Sequence, residues 1–522
     1  MAARAGRAAA LLAASALLAA GCGSAHRLPP LPVVHVAPGT PTLHLGPVGR
    51  VIPAGFLGLS MEFQAVREYT GANPRAVDPV LVRLIRDLTP GQRPVLRIGG
   101  DSTDASWVPA AGVTPPKFSG YSYPLTAGWL ATTAAFAHKL HARMILGLNL
   151  AADEPALDAA EARAFEAAFG RSSIEALEIG NEPNLFATIA EWKLADGTEV
   201  TARPRGYGPS RYRREVGAVV AALPHVQPTW SLAGPALAAN QDPDPAGMWT
   251  TTMGTFLRSE PAVAELTVHR YPLKRCFFSR GSPQDPTIPH LLSEYATTGL
   301  ADGVKPWVRL ARAQGRTVRV DELNSVACRG TPGVSDTFAS ALWATDALFS
   351  LASVGVGGVN VHTLPDAAYE PFTVAEARGR WRAQVEPEYY GLRLFAEAAP
   401  AGSRLLGVRG APHSVSLSAW ATRATDGTER LVLIDKDPGR ARTVRIAVPA
   451  GMGGRDVTVE RLTAPSVAAR GGIRLGGRTY GAVTTTGEIG TPQTTRAPPG
   501  GGRTVVVRVA GGSAALVTLR RS

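Results

Sequence analysis

From about residue 54 to 398 the chain alternates short apolar runs with longer amphipathic stretches. The apolar runs fall at 55–59, 95–98, 144–148, 174–179, 229–233, 266–268, 318–320 and 358–361. Runs this short, bounded by turn-forming residues, read as buried strands. The stretches 79–88, 128–140, 156–169, 210–222 and 337–352 place apolar residues at helical spacing. Strands interleaved with helices build parallel β/α units, and eight strands close a barrel. An open doubly wound sheet uses the same units, but no Gly-rich phosphate loop follows the first run, which weakens a nucleotide-binding reading.

Past Pro400 the pattern changes. Short alternating runs at 415–420, 431–434, 443–448, 456–462, 504–509 and 514–519 are separated by Gly, Asp and Pro, with no helical spacing among them. That is the signature of an antiparallel sandwich. The expected fold class is α/β: a (β/α)8 TIM barrel over 44–399, followed by a C-terminal antiparallel β-sandwich domain over 400–522. Residues 42–51 offer an additional strand to the sandwich, which would lock the two ends of the chain together. The Thr/Gly/Pro-rich stretch 484–502 reads as an exposed loop.

The N-terminus stands apart from this pattern. Arg4 and Arg7 precede an apolar run of Ala and Leu that ends at Ala20, too short to span a bilayer. Residues 1–21 therefore read as a secretory signal. The following Leu18-Ala19-Ala20-Gly21-Cys22 resembles a bacterial lipoprotein cleavage site with Cys22 as the lipidated residue, plain secretion being the alternative. The mature protein is expected to be extracellular in either case, tethered by the Pro/Gly-rich 22–43 and touching a membrane only through the lipid. Of the three cysteines, Cys276 and Cys328 remain. In an oxidising compartment they form a candidate disulfide, the alternative being two unpaired buried thiols.

The formal net charge of +12 raises the question of nucleic acid. The basic residues are nearly all Arg and form no block, and no nucleic-acid motif is present, so a diffuse basic surface is expected and no nucleic-acid partner. A positive field would help attract an anionic polysaccharide. No HExxH or CxxC occurs and the histidines are scattered, so neither a metal nor a cofactor is indicated.

The candidate chemistry lies where two apolar runs end in carboxylates. Leu177-Glu178-Ile179-Gly180 delivers Asn181-Glu182-Pro183, and Val318-Arg319-Val320 delivers Asp321-Glu322-Leu323-Asn324. On the strand count, Glu182 follows strand four and Glu322 follows strand seven, which face each other across the C-terminal mouth of a barrel. Glycosidic bond cleavage requires such a pair, one carboxyl to protonate the leaving oxygen and one to attack or stabilise the anomeric carbon. Asp321 is the rival to Glu322. Neighbouring strand residues point to opposite sides, so only one of them is expected to face the site.

Gly180-Asn181-Glu182-Pro183 resembles the acid/base motif of the clan of retaining glycosidases with (β/α)8 barrels. More narrowly, the chain resembles glycoside hydrolase family 79, the β-glucuronidase and heparanase group. The segments that carry this resemblance are Leu96-Arg97-Ile98-Gly99-Gly100-Asp101-Ser102, Glu322-Leu323-Asn324-Ser325, Val359-Asn360-Val361-His362 and Pro387-Glu388-Tyr389-Tyr390-Gly391-Leu392. The resemblance implies Glu182 as acid/base and Glu322 as nucleophile. It implies Asn181 as donor to the sugar's 2-hydroxyl, with Glu62 and Asp101 as partners of other hydroxyls. His269 and Tyr271 would be the barrel-mouth pair that orients the nucleophile, although His269 also reads as a core histidine. Tyr369 is the candidate for the sugar's carboxylate, with Arg97, Arg270 and Arg329 as possible partners or as structural or solvated arginines. The implied activity is an exported, cofactor-free, retaining β-glucuronidase acting on glucuronic-acid-containing glycans. Alternatives are another barrel glycosidase, xylanase-like or arabinofuranosidase-like, or a catalytically silent carbohydrate-binding lipoprotein.

Overall fold

The computed structural model describes residues 31–109, 123–194, 196–224, 230–238, 248–277, 279–410, 416–453 and 457–521. The expected signal 1–21, Cys22 and the first part of the tether lie outside the described residues. Among the described residues no helix is long and apolar enough to cross a membrane.

Eight parallel strands form a closed barrel: Leu57–Glu62, Val95–Gly99, Arg143–Leu148, Ile174–Ile179, Leu232–Leu237, Val263–Arg270, Thr317–Leu323 and Gly358–Thr363. Each coincides with an expected apolar run, but six of them continue further toward their C-terminal ends than the runs do. The added residues include Ser60, Glu62, His269, Asp321, Glu322 and His362. These are polar because they line a cleft, so the apolar signal stops before the backbone ladder does. Glu322 and His269 accordingly lie inside their strands and not beyond them.

Helices cover the barrel. Pro79–Leu88 starts where Asp78 accepts hydrogen bonds from the N–H groups of Val80 and Leu81 at 2.7 and 3.2 Å, an N-cap that satisfies two otherwise unpaired donors. Met248–Ser259 and Leu300–Ala313 are helices that the periodicity did not reveal; the second carries Pro306 in its interior.

Apart from four two-stranded pairs, the remaining strands form a ten-stranded sheet curled around its own apolar core, which includes Leu43, Leu431, Val444, Val507 and Val517. The expected C-terminal antiparallel domain is borne out, its strands mostly antiparallel and folded over that core. Thr42–Val51 lies inside it, antiparallel to Arg404–Arg409 and parallel to Arg442–Ala447. These residues belong with the C-terminal sheet, not the barrel. Upstream of them, the Val34 N–H donates to the Pro499 carbonyl at 2.8 Å, so this part of the expected tether runs along the β-domain. The stretch 484–502 is also tied down: Thr484 bridges to Ala383 on a hairpin of the barrel and is buried.

Phe338–Val354 fills the space between barrel and β-domain, buried along almost its whole length. Its partner Pro387–Ala398 packs so closely that a side chain added at Gly391 would meet the Ala341 carbonyl oxygen at 2.1 Å. The join is polar at one point. Asp346 accepts from Ser418 Oγ at 2.7 Å, Trp420 Nε1 at 2.7 Å and Lys436 Nζ at 2.9 Å. Asp346→Ala would leave the buried Lys436 ammonium without its counter-charge. A loss of about 3–5 kcal/mol is expected in chemical denaturation, with a much smaller loss for Ala substitution at exposed Asp302.

Candidate active site

Arg97 organises the mouth of the barrel. It lies on the second strand, fully shielded from water, where a cation is tolerated only if anions and acceptors surround it. Its Nε donates to Glu178 Oε2 at 2.8 Å, Nη1 to Glu322 Oε2 at 2.7 Å and to Ser60 Oγ at 3.3 Å, and Nη2 to Asn181 Oδ1 at 2.9 Å. Burial works against its charge, but Glu178, Asp321 and Glu322 outweigh it and hold the guanidinium ionised. Arg97 is therefore committed to the protein's own groups and is not a partner for a substrate carboxylate. Gly99 and Gly100, just beyond it, must be glycine for packing reasons. A Cβ on Gly99 would meet the Arg97 guanidinium at 2.7 Å, and one on Gly100 would meet Glu62 at 2.1 Å.

Glu182 reaches the cleft through a sharp turn. The fourth strand ends at Ile179; Gly180 follows with φ +81°, and Glu182 itself adopts the left-handed conformation with φ +45°. A non-Gly residue in that region carries local strain of about 1 kcal/mol or more. The turn is fixed by the Glu182 N–H, which donates to the Ala236 carbonyl on the neighbouring strand at 3.0 Å. Unlike the other acidic groups on the floor, the Glu182 side chain is partly open to solvent, at 23 % exposure.

Glu182, His269 and Glu322 converge. A carboxylate oxygen of each glutamate and a ring nitrogen of His269 all lie within 4.8 Å of one another. Among the described residues this is the one trio spaced to hold a cation, but the Arg97 guanidinium already stands against Glu322 and takes that role. His269 Nδ1 donates to Glu182 Oε1 at 2.7 Å and lies 3.8 Å from Glu322. Burial alone would lower the imidazole's pKa, yet Glu322, Glu182 and Asp321 together raise it to about 9. Tyr271 donates to Glu322 Oε1 at 2.7 Å. The expected His/Tyr pair is thus divided, the tyrosine on Glu322 and the histidine on Glu182.

The two carboxylates differ in surroundings. Burial favours protonation of Glu322, but His362, His269, Arg97 and the Tyr271 hydroxyl reverse this and hold it well below the usual carboxylate range. Asp321 is pushed the other way, first by complete burial and then by Glu178. Both face the Arg97 side: Asp321 lies 4.0 Å from Arg97 Nε, and Glu322 is hydrogen-bonded to Nη1. Simple strand alternation fails here because the seventh strand carries a bulge. Its register shifts against the sixth strand between Thr267 and His269, and against the eighth between Val320 and Leu323. An extra residue of this kind re-aims the side chains beside it.

The other expected residues fall as follows. Asn181 is buried and bridges Arg97 to Asp101, its Nδ2 donating to Asp101 Oδ1 at 3.3 Å. Asp101 is solvent-accessible at the lip of the cleft, its carboxyl raised to about 7 by desolvation within the cleft and by Glu182 and Glu322. Glu62 is buried and accepts from the N–H groups of Asp101 and Ser102 at 3.1 and 2.8 Å, and from the Ser102 hydroxyl. Burial, Asp101 and Glu322 raise it to about 8. It holds the turn after the second strand in place and offers less to a sugar than the sequence suggested. Tyr369 is buried with its ring 6.2 Å from Tyr271 and 6.0 Å from His362. Arg270 is buried. Arg329 is exposed and donates to the Pro365 carbonyl at 2.7 Å. Cys276 and Cys328 are paired as a disulfide, with Cα atoms 6.2 Å apart.

The sequence analysis missed His362, Glu178 and the role of Arg97. His362 lies 3.7 Å from both Glu62 and Glu322; burial lowers it to about 4, and Glu322 acts on it in the opposite sense. The signal was present: an Arg and a Glu each sat in the middle of an apolar run, and charged residues there are almost always paired.

Residues 419–516 match the Glycosyl hydrolase family 79 C-terminal beta domain. A β-glucuronidase of Neurospora crassa is 24% identical over 426 residues, covering 73% of this chain and 71% of that protein. The crystal structure of a 4-O-α-L-rhamnosyl-β-D-glucuronidase from Fusarium oxysporum superimposes with a TM-score of 0.70 at 18% identity, covering 92% of this chain and all of the other. A family 51 arabinofuranosidase from Xanthomonas axonopodis pv. citri does so with a TM-score of 0.63 at 16% identity over the same 92% of the chain and all of its own. The last two show a shared fold. The resemblance to family 79 read from the motifs is borne out, and the chain is a glycoside hydrolase.

The raised His269 has a consequence for stability. Its folded pKa of about 9 exceeds the ordinary 6.5, so its contribution is complete below pH 6.5 and is lost as pH rises through 9. Glu62 and Asp101, raised to about 8 and 7, lose stability in the same direction. Melting temperature should fall across this window, and the fall should be shallower in His269→Gln. An equal slope in both proteins would show that His269 is not the charged partner of Glu182.

Proposed function

We propose that the chain is an exported retaining β-glucuronidase that removes β-linked glucuronic acid from glycans. The observation that carries the mechanism is the 4.8 Å limit on the separation of the Glu182 and Glu322 oxygens. Carboxyls about 5–5.5 Å apart suit double displacement, whereas direct attack by water needs roughly 6.5 Å or more.

Glu322, kept ionised by Arg97 and Tyr271, attacks the anomeric carbon as Glu182 protonates the departing oxygen. A covalent glycosyl-enzyme forms and the aglycone leaves. Glu182, now ionised, takes a proton from water, which attacks the same carbon and releases glucuronic acid and free Glu322. Asn181 lies beside Asp101, where its N–H can reach the sugar's 2-hydroxyl.

The β-glucuronidase relatives support the choice of sugar. The Tyr369 side chain, its ring 6.2 Å from that of Tyr271, offers a hydroxyl donor that suits a carboxylate without an arginine fork. Export rests on the N-terminal segment and on the Cys276–Cys328 bridge, which persists in oxidising compartments. Cys22→Ser should release the protein from a detergent-phase membrane fraction; unaltered partition would remove the lipid anchor from this reading.

Glu182→Gln and Glu322→Gln should each lower kcat about 10³-fold or more on an aryl β-glucuronide. A 2-fluoro glucuronide inactivator should add one sugar mass to the peptide that holds Glu322. Label on Asp321, or turnover of an aryl arabinofuranoside or xyloside with the glucuronide untouched, would overturn the nucleophile or the substrate respectively.

A further inference from the structure

Beyond the sixth and seventh barrel strands the chain forms a small lip over the cleft. Leu273–Lys274 pairs in parallel with Val326–Ala327, and the Cys276–Cys328 disulfide closes the pair two residues further on. The lip is hydrogen-bonded on both sides, through the Lys274 N–H to Gln284 and the Arg275 N–H to Ala327. Its base touches the catalytic machinery, since Tyr271 lies two residues before Leu273 and Glu322 four residues before Val326.

At its tip Phe277 is 80 % exposed, the most exposed of the large apolar side chains among the described residues. It also adopts the left-handed backbone conformation, φ +54°. An aromatic ring displayed in water on a strained backbone and braced by a disulfide gains nothing for the fold; such outliers gather at ligand contacts. Lys274 and Arg275 precede it by three and two residues and, among the described residues, neither side chain has an ion-pair or hydrogen-bond partner. The cations on the cleft floor, Arg97 and His269, are by contrast committed to Glu178, Glu322 and Glu182.

The lip also has a direction. Lys274 is half-buried, which lowers its pKa, and the Glu182 charge acts on it in the opposite sense. Lys274 and Glu182 are therefore within electrostatic reach of each other. The wall formed by Asp101, Asp104 and Glu191 is acidic: Glu191 is raised to about 8 by burial, Asp101 and Glu182, and Asp104 is raised by burial and Glu191.

We propose that Phe277, Lys274 and Arg275 form a leaving-group subsite, in which the ring of the first sugar beyond the cleaved bond lies on Phe277 and acidic groups of that chain meet the two cations. This rests on the glucuronidase reading and adds that the substrate is an anionic oligosaccharide or polysaccharide. An aromatic face suits the apolar side of a sugar ring, and its rigidity keeps the entropic cost low.

The test compares kcat/KM for glycans ending in β-glucuronic acid with kcat/KM for β-glucuronyl fluoride, whose leaving group is too small to reach the lip. In Phe277→Ala the glycan-to-fluoride ratio should fall about tenfold, roughly 1.4 kcal/mol, mainly through KM, and Phe277→Trp should restore it. With the melting temperature unchanged, an unaltered ratio in Phe277→Ala overturns the subsite, as does an equal loss on both substrates. Lys274→Gln with Arg275→Gln should lower the ratio for a leaving chain bearing uronate or sulfate and spare a neutral one. Equal loss on neutral chains overturns the anionic part. Fluoride turnover by the unaltered enzyme is the control: its absence would count against the glucuronidase reading itself.

Discussion

A guanidinium sealed from water inside a barrel is the constraint from which the site follows. Left unpaired, such a charge costs several kcal/mol, so the groups that meet it cannot move freely. Arg97 on strand two takes Ser60 from strand one, Glu178 from strand four, Asn181 from the turn after it and Glu322 from strand seven. One side chain thereby fixes the relative positions of four parts of the wall. The same contacts set the chemistry: Glu322 is held ionised at the centre, while Asp321 beside it, deprived of an equal share of positive charge, is pushed toward its neutral form. Two adjacent carboxyls in one strand are separated by environment alone.

Much of this was legible in the sequence, for physical reasons that also explain where reading stopped. The barrel strands are buried on both faces, so each left a compact apolar run. At their C-terminal ends the same strands turn polar, and the runs ended before Glu62, His269, Glu322 and His362, all of which remain on the ladder. The function of a barrel lies where its hydrophobic signal gives out. The bulge near Asp321 was hidden because it is set by register between three strands, a long-range property. Alternation along one strand therefore predicted that Asp321 would turn away, and it did not. Arg97 was visible as a residue type but not as a hub, since its partners come from segments far apart in the chain. The helix Leu300–Ala313 was obscured by its internal Pro306.

The β-domain is best understood as part of the barrel's outer wall. Phe338–Val354 would be too apolar to face solvent, with fifteen buried residues in seventeen positions; the helices Pro387–Ala398 and Leu300–Ala313 cover it, and the curled sheet meets it at Asp346 and Phe349. Asp346 adds specificity to that contact, because a buried carboxylate with three donors accepts only one docking arrangement. The strand and turn that follow this helix carry His362 and Tyr369, so the docking surface and the cleft are joined through one continuous stretch of chain.

Thr42–Val51 gives the molecule an unusual order of assembly. This strand is synthesised well before both of its neighbours, Arg404–Arg409 and Arg442–Ala447, which come some 350 residues or more later. The barrel has the same problem on a slightly smaller scale, because its first strand closes against Gly358–Thr363. Contacts between such distant segments form late and slowly. An emerging chain must therefore keep an exposed strand edge unpaired until nearly all of it has been made, and neither half can reach its final form without the other.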